Sequence, residues 1–264
     1  MPDEAATLVI SLDANDAAYS ADKSNLSEGA FRVVYTGTKI LGEIPVVIKF
    51  LKDEYRTYQV ITDRGKTQVD SILRVYSFGP IFFHNVLVID HLRPSLESIF
   101  AEREGRFTVK TVVILAKRIL GVVERVYAKG IVYRDLKPDN FVLGRPGTLT
   151  ANIVHLIDFG IANRYKDLKT ELHIPYREGT PLLGTAKYIS IYIYLRREQS
   201  RRDDLELLWQ GIKAPKKEKN DRIKQKKQEI TIEDICTGFP VEFSECLWYV
   251  RHLDFDDEPD YVYL

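Results

Sequence analysis

The chain has 264 residues, enough for one large domain or two packed lobes around a sizeable core. Its composition, 45% hydrophobic and 29% charged, is that of an ordinary globular protein and excludes a disordered one. The 38 basic and 38 acidic side chains cancel, so no global excess argues for a nucleic-acid partner or a solvating acidic tail.

Residues 1–22 are small, mixed and polar, and are expected to be loosely ordered. The apolar run at 8–12 is too short for a signal peptide, and no run approaches the ~18–20 apolar residues of a membrane helix. Between 31 and 50, "FRVVYTG" and "IPVVIKF" alternate Val, Ile, Tyr and Phe with polar residues around Gly37 and Gly42, which predicts antiparallel strands. "EYRTYQVI" at 54–61 predicts a short helix, and "ILRVYSFG" and "NVLVIDHL" predict two further strands. From 108 to 129, apolar residues recur at three- and four-residue steps up to Gly130, the pattern of a long amphipathic helix with a glycine stop. "NIVHLIDFG" then reads as a buried strand. Cys236 and Cys246 have neither zinc spacing nor a disulfide framework around them, so they are read as reduced thiols of a cytoplasmic or nuclear protein, with no membrane partner.

The segment "IVYRDLKPDNFVLG", residues 131–144, concentrates polar chemistry between apolar ends. A helix would scatter Asp135, Lys137 and Asn140 around its circumference and a strand would split them between faces, whereas a rigid loop can aim all three at one point. A carboxylate can take a proton from a hydroxyl, a lysine can steady an anion, and an amide oxygen can ligate a hard cation. Asp158, at a predicted strand end before a glycine, supplies a second oxygen ligand for Mg²⁺, and the set points to phosphoryl transfer. Taken singly, Asp135 also fits a loop carboxylate capping backbone amides, and Lys49 a solvated strand lysine.

"YRDLKPDN" resembles the protein-kinase catalytic loop and "DFG" its metal-binding motif. "KPDNFVLG", "HIPYREGTPLLGTAKYISI", "EQSRRDDLE" and "FDDEPDY" resemble the casein kinase I family of Ser/Thr kinases, from about residue 25 to the end. The resemblance implies an α+β, two-lobed protein-kinase-like fold. A small antiparallel N-lobe sheet would span 23–92, and a mostly α-helical, incomplete C-lobe 93–264. It implies ATP and Mg²⁺ as cofactors and proteins with acidic or phosphorylated residues near Ser/Thr as substrates. Asp135 would orient and deprotonate the substrate hydroxyl, Lys137 would steady the γ-phosphate, and Asn140 and Asp158 would hold the metal. Lys49 would meet the α- and β-phosphates and pair with Glu54. Asp90, His91 and Leu92 would form the hinge behind adenine, Gly29 belongs to the phosphate loop, and Leu26, Val34, Val47, Val142 and Ile157 would line the adenine slot. Lys187, Gly211 and Lys219 would receive the substrate anion, and Asp204 would tie its helix to the catalytic-loop backbone.

Several positions depart from the family. "SEGAFR" keeps only Gly29 of three glycines, with Ser27 and Arg32 at the outer places. Tyr133 stands for histidine, Val47 for alanine and Lys187 for arginine, which exchanges a bidentate fork for a point charge. Only four residues separate Lys49 from Glu54. After "RRDDLE", "LELL" meets "WQG" at once, short of the family by roughly a dozen residues, or ~18 Å of helix. The apolar body lost there would otherwise bury against the helix at 108–129, so a cavity costing several side chains of ~2–5 kcal/mol each is expected. The basic run 213–227 reads as a solvated face, as a localisation or nucleic-acid patch, or as part of the anion pocket. It has no interleaved aromatics, and no nucleic acid is expected. The sequence therefore predicts a casein-kinase-I-type Ser/Thr kinase, with a catalytically weak or inactive kinase-like binding module as the alternative.

Overall fold

The structure is a computed structural model and describes residues 8–11, 18–29, 32–51, 54–62, 71–81, 84–91, 94–210, 225 and 227–264. Its contacts divide the chain into two units, Met1–Arg93 with Leu143–Gly160, and Pro94–Val142 with Ile161–Leu264.

The first unit is built on six strands, β1 (Leu8–Ser11), β2 (Ala18–Gly29), β3 (Arg32–Lys39), β4 (Ile44–Leu51), β5 (Val75–Ile81) and β6 (His84–Asp90). They form one antiparallel sheet in the order β1-β2-β3-β4-β6-β5. Strand side chains alternate between faces. One face gathers Tyr19, Ala21, Val46, Ile48, Val86 and Val88 into a buried cluster, with Tyr35 and Phe50 packed against it. The opposite face carries Lys49, Leu87 and Ile89, all buried. Helix α1 (Glu54–Ile61) buries Tyr58 and Ile61 and stacks Tyr55 on Phe78 of β5 with ring centroids 3.5 Å apart. The predicted strands at 31–50, the predicted helix and the two following strands are thus present.

Two expectations for this part of the chain need correction. Residues 1–22 are not wholly loose, because Leu8–Ser11 pairs with β2 in the register Leu8 to Ala21 and Ser11 to Ala18. The stretch looks polar, yet Tyr19 and Ala21 point to one face and are fully buried, and two such residues in alternation anchor the hairpin. The segment Leu143–Gly160, placed by sequence in the C-lobe, belongs to the first unit. Its strand Val154–Leu156 is shorter than the nine-residue pattern, and it is tied there by a parallel bridge from Ile72 to Leu156 and by the Leu156 amide donating to the Ser71 carbonyl at 3.1 Å.

The second unit is mainly helical. Helix α2 (Leu96–Glu102) and helix α3 (Val109–Ala128) are capped by the Ser95 and Thr108 hydroxyls, which accept from the Ser98 and Thr111 amides. Gly130 at φ +72° ends α3, a conformation that strains any side chain with a Cβ. Two-residue strands β7 (Ile131–Val132) and β8 (Asn163–Arg164) pair. Helices α4 (Ile191–Tyr194), α5 (Arg201–Gln210), α6 (Ile232–Cys236) and α7 (Val241–Arg251) follow. Among the described residues no helix is long and apolar enough to cross a membrane.

The start of α5 organises this unit. Arg201, Arg202, Asp203, Asp204 and Glu206 are all buried, and each is paired. Asp204 accepts from the amides of Tyr133 at 2.7 Å and Arg134 at 2.8 Å and from the Tyr127 hydroxyl at 3.1 Å. Asp203 accepts from the Ser190 hydroxyl and the Ser200 amide. Arg201 donates to Tyr165 Oη and the Asp256 carbonyl, Arg202 donates to the Leu253 carbonyl, and Glu206 accepts from Arg251 Nε at 3.2 Å. The point at which the sequence runs short, where "LELL" meets "WQG", falls within α5, whose side chains from 207 on, like residues 211–224, lie outside the described residues.

Burial pushes the Asp204 carboxyl up to about 7, and the two amides and the tyrosine hydroxyl pull against that rise. Its folded value stands above the ordinary carboxylate range, so its contribution to stability is full below that range and declines as pH rises through about 7. Asp204→Ala leaves two loop amides without an acceptor and should cost about 2–4 kcal/mol in denaturant unfolding at pH 5. The penalty should shrink by pH 8. An equal penalty at both pH values would contradict the assignment.

Candidate functional site

The catalytic-loop candidates come together around one carboxylate. After β7 the chain passes through Arg134 at φ +73°, a costly backbone conformation for a non-glycine residue. A 3₁₀ turn at Pro138–Asn140 follows, closed by the Asn140 amide donating to the Lys137 carbonyl at 2.9 Å. Proline suits the first position of such a turn because no N–H is needed there. The turn brings Asn140 back, so that its Nδ2 donates to the Asp135 carbonyl at 2.9 Å and lies 3.4 Å from Asp135 Oδ2. Lys137 Nζ donates to Asp135 Oδ2 at 2.8 Å. Asn140 is buried, and because its nitrogen serves Asp135, its side-chain oxygen is the atom left for a cation.

Thr185, which the sequence reading did not single out, completes this cluster. Its amide and hydroxyl donate to Asp135 Oδ1 at 2.9 and 2.8 Å, and its hydroxyl accepts from Lys137 Nζ at 2.8 Å. Gly184 makes the approach possible. A Cβ there would stand 2.7 Å from Ile189 Cγ2 and 2.8 Å from the Arg134 carbonyl oxygen, and its φ is +98°. The signal was the Gly-Thr pair inside "LLGTAKY", which had carried family resemblance but no role. Arg134 itself donates from Nε to the Ile161 carbonyl at 2.6 Å, and burial lowers its pKa.

A second group lies in the first unit. Lys49 Nζ sits 3.5 Å from Asp158 Oδ1, with the lysine side chain 9% exposed and the carboxylate 27% exposed. Asp158 takes φ +68°, and the Phe159 ring beside it is buried edge-on against Tyr58 of α1 with centroids 5.0 Å apart. Register places Val34 opposite Lys49 and Val47 two residues before it on the same face, so these three share one side of the sheet. Asp90 does not join them. It lies on the other face, where its carboxylate accepts from the Tyr76 hydroxyl at 2.7 Å and the Arg74 amide at 3.1 Å. Only its backbone is left for the hinge role.

The remaining candidates are more scattered. Glu54 opens α1, and Leu26 and Gly29 lie in β2, but the side chains of Glu54 and Leu26 lie outside the described residues, as do Leu92, Gly211 and Lys219 altogether. Ile157 is half-buried, and Val142 is buried with a bridge to Ser95. Lys187 Nζ donates to the neighbouring Tyr188 hydroxyl at 2.8 Å. A cavity of about 310 Å³ in the second unit is lined by Arg134, Arg177, Glu178, Thr180, Glu198 and Gln199 among others and contains none of the predicted nucleotide residues. Among the described residues no three His, Cys, Asp or Glu side chains are grouped to hold a metal by themselves.

Residues 20–200 match the family model described as "Protein kinase domain". The chain belongs to the protein kinase family. It is 46% identical over 262 residues to casein kinase I homolog 2 of Schizosaccharomyces pombe, covering 90% of this chain and 59% of that protein. It is 45% identical over 259 residues to casein kinase I homolog 2 of Saccharomyces cerevisiae, covering 89% of this chain and 46% of the relative. Casein kinase I homolog 1 of S. pombe is 45% identical over 262 residues, 90% of this chain and 58% of the relative. The chain thus spans about half the length of the curated relatives it matches.

Gly184→Ala combines a strained backbone with two contacts no Cβ tolerates, and should lower stability by about 2–4 kcal/mol. Hydrogen exchange should show the Thr185 amide losing protection ahead of the amides of α3. Unchanged protection would mean that Gly184 does not hold Thr185 against Asp135.

Proposed function

We propose that the chain is an ATP- and Mg²⁺-dependent Ser/Thr protein kinase of casein kinase I type, with the two-lobed arrangement of its family. The observation that carries the reading is the Asp135 carboxylate, held through both oxygens by Thr185, Lys137 and Asn140. A carboxylate with this many donors keeps its direction, which a group that must orient a hydroxyl and take its proton requires.

In this reading Asp135 accepts the proton of the substrate Ser or Thr hydroxyl. Lys137, already bonded to Asp135, steadies the anion being transferred. The Asn140 side-chain oxygen and the Asp158 carboxylate are a donor set that suits magnesium, a hard cation that takes one or two protein oxygens and keeps waters and phosphate oxygens for the rest. When bound, the metal supplies neutralisation of phosphate charge. Lys49 holds the α- and β-phosphates, with Glu54 as its further partner. Val34 and Val47 line the adenine slot together with Leu26, Val142 and Ile157, and Asp90 and Leu92 contribute hinge backbone. Gly29 allows the phosphate loop to approach.

The substrate class is proteins with acidic or already phosphorylated residues near the target, received by Lys187, Gly211 and Lys219. Because Lys187 is a point charge already bonded to Tyr188, selectivity for such anions is expected to be modest. The alternative, a kinase-like binding module with little catalysis, draws support from the single glycine in "SEGAFR".

Phosphate transfer from ATP to an acidic Ser/Thr peptide tests the choice. Asp135→Asn should lower transfer by about 10²–10⁴-fold while nucleotide affinity stays within a few-fold of wild type. Equal transfer by the two proteins overturns the role of Asp135. A wild-type chain that binds nucleotide but transfers nothing favours the binding module.

A further inference from the structure

The cavity of about 310 Å³ in the second unit holds none of the residues assigned to nucleotide, metal or proton transfer. Its size is at the lower end of the ~300–1,000 Å³ of ligand pockets. Two of its walls run straight into the catalytic cluster. Arg134 directly precedes Asp135, and Leu183 stands two residues before Thr185, which bonds Asp135.

Three polar side chains in its lining have hydrogen-bonding capacity that the chain leaves unused. Arg134 spends only its Nε, on the Ile161 carbonyl, so among the described residues both of its Nη groups lack a partner. Gln199 is only 5% exposed, and its Nε2 is buried without a partner. A donor buried in this way is costly, and one kept in a native structure calls for a reason. Glu198 has its side chain 14% exposed, and its ion pair to Arg177 Nε, at 3.9 Å, is too long for a hydrogen bond. The charge of Glu198 acts on Arg134, yet no hydrogen bond joins them.

Charge decides what fits among these groups. Arg134 and Glu198 cancel, and so do Arg177 and Glu178, whose side chains are mostly exposed. A phosphate or carboxylate would satisfy Arg134 and Gln199 but stand against Glu198. An ammonium or guanidinium would satisfy Glu198 but stand against Arg134. A neutral carboxamide serves both sides, because its oxygen accepts from Arg134 and Gln199 and its NH₂ donates to Glu198.

We propose that this cavity is a subsite for the carboxamide of an Asn or Gln side chain near the target Ser or Thr of the peptide substrate. The proposal rests on the kinase reading for the identity of the peptide, and it adds a selectivity that acidic or phosphorylated residues do not supply. Gln199 is then a specificity-determining residue, whose buried amide finds its partner in the substrate.

The test uses the full chain and a set of Ser peptides in which one Gln, Glu, phosphoserine or Ala is moved through the positions flanking the target. Affinity is read by fluorescence anisotropy without nucleotide, and transfer by kcat/KM with Mg-ATP. At one position Gln should bind about five- to tenfold better than Ala, the worth of one or two net hydrogen bonds, and Glu and phosphoserine should bind no better than Ala. Gln199→Met keeps the length of the side chain and removes the amide that has no partner, so the thermal midpoint should not fall. In this variant the Gln and Ala peptides should bind equally. The side-chain NH₂ resonances of Gln199 in the wild type give a readout that needs no variant, and they should shift with the Gln peptide and stay in place with the Ala peptide. The proposal is overturned if no position prefers Gln, if the preference survives Gln199→Met, or if the resonances ignore the Gln peptide. It is also overturned if phosphoserine or Glu outbinds Gln at the selected position, which would make the cavity an anion site. A chain that selects Gln but transfers nothing keeps the subsite and loses the kinase reading, and transfer without selection does the reverse.

Discussion

The buried carboxylate of Asp204 is the interaction on which the second unit depends. A carboxylate removed from water is costly, and here burial raises its pKa far enough for that cost to be visible. It is offset by two backbone amides and one hydroxyl, a set of donors that fills both oxygens. The amides belong to Tyr133 and Arg134, at the point where the chain leaves β7 and adopts a left-handed backbone. A loop bent in this way leaves its N–H groups pointing away from regular structure, and they need a partner elsewhere. The helix α5 supplies it, and the neighbouring charges of the same helix fix Ser190, Tyr165 and the carbonyls of Leu253 and Asp256.

From that anchor, order propagates to the chemistry. Arg134 fixed at φ +73° sets the direction of Asp135, and its carbonyl is one wall of the space in which Gly184 has no room for a side chain. Thr185 is thereby pressed onto Asp135, and Lys137 bridges the two. Non-glycine residues with a left-handed backbone include Arg134, next to Asp135, and Asp158 itself. At Arg134 the left-handed backbone persists because the hydrogen bonds to Asp204 and the Ile161 carbonyl over-determine it.

The sheet of the first unit illustrates a different constraint. The faces of β4 and β6 are both buried, so a residue's parity decides its fate. Lys49, Val34 and Val47 share a face, while Asp90 falls on the other and is consumed by Tyr76 and the Arg74 amide. In the second unit the same logic of faces leaves α3 half covered. Its apolar periodicity runs the full length of the helix, but the buried part begins only at Leu120.

The sequence by itself determined the local elements and the chemical repertoire. Alternation predicted the strands of 31–50, three- and four-residue steps predicted α3 with its glycine stop, and the spacing of Asp135, Lys137 and Asn140 required a loop rather than a helix or strand. These signals are local, because periodicity and turn chemistry are written within a few residues. The tertiary structure decided what distant residues do to one another. Thr185 meets Asp135 from 50 residues away, and the tie that the family resemblance implied for Asp204 is made by its acceptance from the Tyr133 amide 71 residues away. A threonine or an aspartate is an ordinary surface residue until a fold brings it to a donor or acceptor. For the same reason the capture of Leu143–Gly160 by the first unit and the exposure of the N-terminal half of α3 could not be read from periodicity. Periodicity states which face is apolar, and only packing decides what covers it.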